Sequence, residues 1–290
     1  VNLVAPQPHP RHHPTTEPSN PDRFLQNSSK SCAARPGAAA RLYHLFTFSL
    51  QTKALDGSFF MHNRTTSRAS VIAGGICVAL FALLTVALLT VDRQPVAGDG
   101  SLVGLATFNL NARALLGQHD MAEKLSNILL IVPAICALAF AVIGSRQLIQ
   151  GRHRWSVDRD LWLLLALYGA MLVLYVLFNC VSPNNRPILE DGVCEPSFPS
   201  SHTLLAVTML GSSMVQIVQR MRAGGWRSAA LIVCGVAMAG IVIARAMAGV
   251  HWATDILGGI LLGTALVAFY HAIAFAAENH KAARGKHARL

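Results

Sequence analysis

Six apolar segments, each long enough or nearly so to cross a hydrocarbon core, dominate the chain. They run roughly over Val71–Val91, Asn127–Gly144, Leu161–Phe178, Thr203–Val218, Ala229–Met247 and Ala253–Ala277. A core of roughly 30 Å takes about 20 helical residues, and within it each segment must satisfy its own backbone hydrogen bonds. The fold class is therefore all-α: a polytopic membrane protein with about six transmembrane helices in a bundle. The charge content agrees, since 13% of residues are charged, against about 25% in a soluble domain. The fourth segment is the weakest, being short and carrying Ser212, Ser213 and Gln216.

A net charge of +10 raises the question of nucleic acid, but no basic stripe interleaved with aromatics is present. The basic residues mark topology instead. Nineteen of the 24 Lys and Arg fall before the first segment, between the second and third, between the fourth and fifth, or after the sixth. Arg93, Arg113, Lys124, Arg186 and Arg245 make up the other side. Under the positive-inside bias both termini are cytoplasmic, in an integral protein of the cell membrane. No cleavage site follows the first segment, which reads as a retained anchor.

Residues 1–60 stand apart. Pro6, Pro8, Pro10, Pro14, Pro18, Pro21 and Pro36 lie among His, Ser and Asn, a disorder-like composition that predicts an N-terminal extension. His9, His12 and His13 read as a solvated coil in preference to a metal tract. Residues 61–290 form the six-helix membrane domain. The stretch Ser101–Leu125 predicts an amphipathic helix lying on the outer surface, or an ordinary loop. Cys77, Cys136 and Cys234 lie in apolar runs as small hydrophobes. Cys180 and Cys194 bracket one outer loop, as a disulfide or as two free thiols.

Four polar clusters fall on one predicted membrane face. Asn179 to Pro187 follows the third segment, and Phe198-Pro-Ser-Ser-His202 precedes the fourth. Arg245 ends the fifth, and His251-Trp-Ala-Thr-Asp255 opens the sixth. Odd segments end and even segments begin on that face, so residues distant in sequence meet there. Spaced four apart, His251 and Asp255 would share a helix face, where the carboxylate fixes the tautomer and leaves a ring nitrogen as nucleophile. Ser200, Ser201 and His202 sit at a helix start, which offers N–H groups and hydroxyls to an anion or uses the serine as a cap. Arg186 and Arg245 supply forked donors for phosphoryl oxygens.

Together these residues resemble the type 2 phosphatidic acid phosphatases, the membrane lipid phosphate phosphatases, which share motif residues with vanadium haloperoxidases. That family shows Lys-x6-Arg-Pro, Pro-Ser-Gly-His and Ser-Arg-x5-His-x3-Asp. Here the order and spacing hold as Asn179-x6-Arg186-Pro187, Pro199-Ser200-Ser201-His202 and Ala244-Arg245-x5-His251-x3-Asp255. The resemblance implies attack by His251 on phosphorus to give a phosphohistidine, support of His251 by Asp255, and proton transfer by His202. It implies phosphate binding by Arg186, Arg245, Ser200, Ser201 and Asn179, without metal or other cofactor. The implied substrate is a lipid phosphate or polyprenyl diphosphate in the bilayer. A phosphotransferase and a non-catalytic phospholipid-binding protein are the alternatives. Asn179 in place of Lys, Ala244 in place of Ser and Ser201 in place of Gly depart from the pattern. Asn179 removes a cation from the expected pocket.

Overall fold

In the computed structural model the apolar segments form helices, which pair their backbone groups within each segment, as hydrocarbon demands. Residues 64–151, 157–189 and 192–287 are described, so the expected extension over residues 1–60 lies outside them. Among the described residues, α1 spans Arg64–Thr90, α2 Ala106–Leu116, α3 Asp120–Leu129 and α4 Ile131–Gly151. There follow α5 (Arg159–Cys180), α6 (Ser201–Arg220), α7 (Gly225–Ala248) and α8 (Ala253–His287). A small antiparallel hairpin, β1 (Gln94–Pro95) and β2 (Leu102–Val103), precedes α2. Six candidate spans result, as expected: α1, α3 with α4, and each of α5 to α8.

The second span differs from its sequence reading. It reaches back to Asp120 and is broken at Leu130 into α3 and α4. Pro133 sits in the first turn of α4, and its ring nitrogen cannot donate to the carbonyl of Leu129, so the ladder is interrupted there. Of the expected surface helix over Ser101–Leu125, the part that forms as a separate helix is α2, which buries Ala106 and Asn109 and exposes Phe108 and Leu115.

The fourth segment turns out weakly apolar for a physical reason. It is α6, the most buried of the six spans, and it packs against α7 and α8. Ser212, Ser213 and Gln216 are therefore enclosed by protein. Ser213 Oγ donates to the Met209 carbonyl at 2.6 Å, and Gln216 Nε2 donates to the Tyr270 hydroxyl. Polar groups in a membrane interior are tolerated when they face the bundle and find partners.

The α6–α8 contact is close because α8 presents glycine to it. A Cβ at Gly259 would stand 2.9 Å from Thr203 Cβ and 3.0 Å from the Ser200 carbonyl oxygen. Small residues let helix backbones approach where lipid supplies no hydrophobic drive. Gly259→Leu is expected to destabilise the protein by about 1–3 kcal/mol through overpacking and to move the Ser200 backbone. Thermal unfolding in detergent checks this, and an unchanged midpoint would contradict the packing.

Candidate active site

The loop from Val181 to Ser200, between α5 and α6, is tied down by its own polar groups. Ser182 Oγ donates to the Asn184 carbonyl at 2.6 Å, and Ser197 Oγ donates to the same carbonyl at 3.1 Å. The Arg186 N–H bonds the Glu195 carbonyl at 3.0 Å, and the Gly98 N–H bonds the Arg186 carbonyl at 3.0 Å. Trp252 Nε1 donates to the Asn185 carbonyl at 2.7 Å, which joins this loop to the turn carrying His251. Arg186 is thus held at both sides, and its Nη2 lies 2.9 Å from Glu195 Oε2.

Cys180 and Cys194 are both free thiols in the structure, so the bridge weighed from sequence is not formed. Cys180 is exposed at the end of α5. Cys194 packs beside Ala97, Val103 and Trp252, with its Sγ 3.7 Å from the Arg186 carbonyl.

His251 and Asp255 meet by a route other than the one expected. His251 lies in the turn before α8, not on the helix. Gly249 caps α7 in the left-handed region at φ 71°, where a residue without Cβ is favoured. Asp255 then occupies the third position of α8, and its Oδ2 accepts the Trp252 N–H at 2.8 Å. That is the back-bond of a capping box, placed where the helix dipole favours a carboxylate. The same Oδ2 stands 3.6 Å from His251 Nδ1, an electrostatic contact longer than a hydrogen bond. His251 Nε2 has no hydrogen-bond partner. Asp255 thus fixes the turn and faces the ring with one oxygen.

A cavity of about 310 Å³ opens on this turn, with Asn179, Arg186, Glu195, Ser201 and His251 in its wall. Ser200 is buried; its N–H bonds the Asp255 carbonyl at 3.0 Å. Its side chain makes no cap hydrogen bond, so the capping role weighed for this serine is not realised. Arg245 is buried at the end of α7, with Nη1 3.7 Å from Glu123 Oε1. His202, at the start of α6, lies near Arg245, His251 and Arg186. Its Nε2 is 3.0 Å from Asn127 Oδ1. All eight residues expected from the sequence gather at one end of the bundle. Glu123 and Asn127, on α3, join them without having been singled out.

Residues 161–278, which hold every motif above, match the model of the PAP2 superfamily. Over these residues the chain is similar to the PAP2 superfamily. No curated protein matches at a significant level. A crystal structure titled as the first transmembrane PAP2-type phosphatidylglycerolphosphate phosphatase, from Bacillus subtilis, matches with a TM-score of 0.50 and 21% identity, covering 71% of this chain and 96% of that one. The six-helix fold is shared at that level. The PAP2 match supports the enzyme class expected from the motifs, a lipid phosphatase.

The site is electrostatically arranged for a neutral histidine. Burial, then the Arg245 and Arg186 cations, hold the His251 imidazole well below its ordinary value near 6.5. At neutral pH the ring is unprotonated and keeps a lone pair for attack. The unfolded chain binds a proton near pH 6.5 where the folded one does not, so stability is lost as pH falls below 6.5. His251→Gln is expected to flatten part of that loss in thermal unfolding measured between pH 7 and 5. Equal slopes for the two proteins would contradict a neutral buried ring.

Among the described residues no group of three or more His, Cys, Asp or Glu could hold a metal ion. Glu190 and Asp191 lie outside the described residues.

Proposed function

We propose that this chain hydrolyses a lipid phosphomonoester or diphosphate at the extracytoplasmic face through a phosphohistidine at His251. The observation that carries the reading is the cavity wall, where the unpartnered Nε2 of a neutral His251 shares one space with Arg186, Asn179 and Ser201. Phosphoryl transfer asks a protein mainly for positioning and charge stabilisation. In the first step His251 Nε2 forms a bond to phosphorus as the bond to the leaving oxygen breaks, and His202 gives that oxygen a proton. In the second, His202 takes a proton from water, whose oxygen attacks phosphorus and frees His251. Arg186, Arg245, the Ser200 hydroxyl and the Asn179 amide bind the phosphoryl oxygens, and Asp255 steadies the His251 ring.

The lipid character of the substrate follows from what adjoins the cavity. An apolar groove of about 270 Å³, lined by Leu130, Met171, Leu172 and Leu205, shares Tyr175, Ser201 and Leu204 with the polar cavity. His202 also lines it. A phosphate in the cavity and a hydrocarbon chain in the groove meet at the scissile bond. The basic bias of the opposite connections supports an extracytoplasmic site.

Phosphate release from phosphatidate, phosphatidylglycerophosphate and a polyprenyl diphosphate, measured with purified protein in detergent, tests the reading. Release from at least one, undiminished by chelator, is expected. Lipid binding without release from any would favour the non-catalytic alternative, for which Asn179 is the motivating departure. In the same panel Asn179→Lys is expected to tighten binding of a phosphate dianion by restoring a cation.

A further inference from the structure

The region matching the PAP2 model begins at residue 161, yet α3, about 40 residues earlier, puts two polar side chains against the site. Glu123 and Asn127 are four apart, so they project from one face of α3, a turn from each other. Glu123 faces Arg245 at 3.7 Å, and Asn127 Oδ1 is 3.0 Å from His202 Nε2. These contacts fall on the two groups that Asp255 and Glu195 leave unserved. Asp255 faces His251, and Glu195 pairs with Arg186.

The placement of α3 is built in. The His119 N–H bonds the Met247 carbonyl at 3.0 Å and fixes the start of α3 against the end of α7. A Cβ at Gly240 of α7 would stand 3.0 Å from Leu129 Cδ1, so the two helices lie close along their length. The break at Leu130 separates the course of α3 from that of α4.

We propose that Asn127 is a positioning residue for His202, a role that rests on the reading of His202 as the proton-transfer group. An amide offers an acceptor oxygen and a donor nitrogen. Its Oδ1 accepts from an Nε2–H, which fixes the ring with Nδ1 as the exchanging nitrogen. With Asn127 on Nε2, the proton that His202 gives and then takes is the one on Nδ1, so Nε2–H donates to Oδ1 through both steps and a neutral acceptor holds the ring throughout. A carboxylate would favour one protonation state, and an apolar residue would leave the ring free to turn in the apolar groove it lines.

The test uses the full chain in detergent with phosphatidate. Asn127→Ala is expected to lower kcat about ten- to a hundredfold, with KM and the unfolding midpoint nearly unchanged. Asn127→Gln should recover part of the rate. In a His202→Ala background the same substitution should cost less than about twofold, because a partner cannot position an absent ring. A loss of equal size in both backgrounds, or a kcat unaltered by Asn127→Ala, would overturn the proposal. Ring 15N shifts of His202 read the contact without turnover. Asn127→Ala should redistribute its two tautomers, and unchanged shifts would also overturn it. Absence of turnover in the wild type, with tautomers still responding to Asn127→Ala, would instead count against the phosphatase reading alone.

Discussion

His251→Ala is expected to abolish phosphate release from whichever lipid the wild type accepts, by on the order of 10³- to 10⁶-fold. In a two-step displacement no other atom of the site substitutes for Nε2, since water held nearby lacks its position and its free lone pair. Removing the ring leaves a space next to Asp255, which keeps its bond to the Trp252 N–H, so the turn before α8 should survive. Unfolding midpoint and lipid binding are therefore expected to stay near wild type. Retained turnover in this variant would mean that the phosphoryl group goes directly to water.

Arg245→Met is expected to separate activity from stability. The guanidinium is 2% exposed, its one ion-pair contact among the described residues is a loose 3.7 Å to Glu123, and its Nε has no partner. A buried cation so thinly paired costs folding energy, and an apolar side chain of similar volume is often neutral or stabilising in its place. A transferring phosphoryl group would supply the missing acceptors, and losing such a donor typically costs about 10²–10³ in rate. The variant should therefore lose that activity while its unfolding midpoint holds or rises. Arg245→Lys should recover only a fraction, because an ammonium cannot offer the same fork. A drop in midpoint proportional to the lost activity would assign Arg245 a structural task instead.

Much of this was legible in the chain because membranes simplify the reading. A helix in lipid needs about 20 apolar residues whatever its neighbours, so the six spans follow from composition along the sequence. The motif residues were legible because their order and spacing are fixed by the helices they terminate. What the sequence left open depends on contacts between helices. Ser212, Ser213 and Gln216 weaken α6 as a span until its burial among α7 and α8 is known. The meeting of His251 with Asp255 looked like a helix-face pair, whereas a capping bond to Trp252 produces it.

Asn127 and Glu123 were missed for a similar reason. Polar side chains at the start of a span read as ordinary boundary residues. Their spacing of four, opposite the apolar Ile128 and Leu129, is the signal that could have drawn notice. The free state of Cys180 and Cys194 was not decidable from spacing, since both a bridge and two thiols fit a loop of that length.

The account stands on transfer of the phosphoryl group to His251 before water receives it. The stereochemical course at phosphorus, followed with an isotopically chiral phosphate ester, measures this without trapping an intermediate. Two successive in-line displacements give net retention of configuration, which is the expected result. Net inversion would show a single direct displacement and would contradict it.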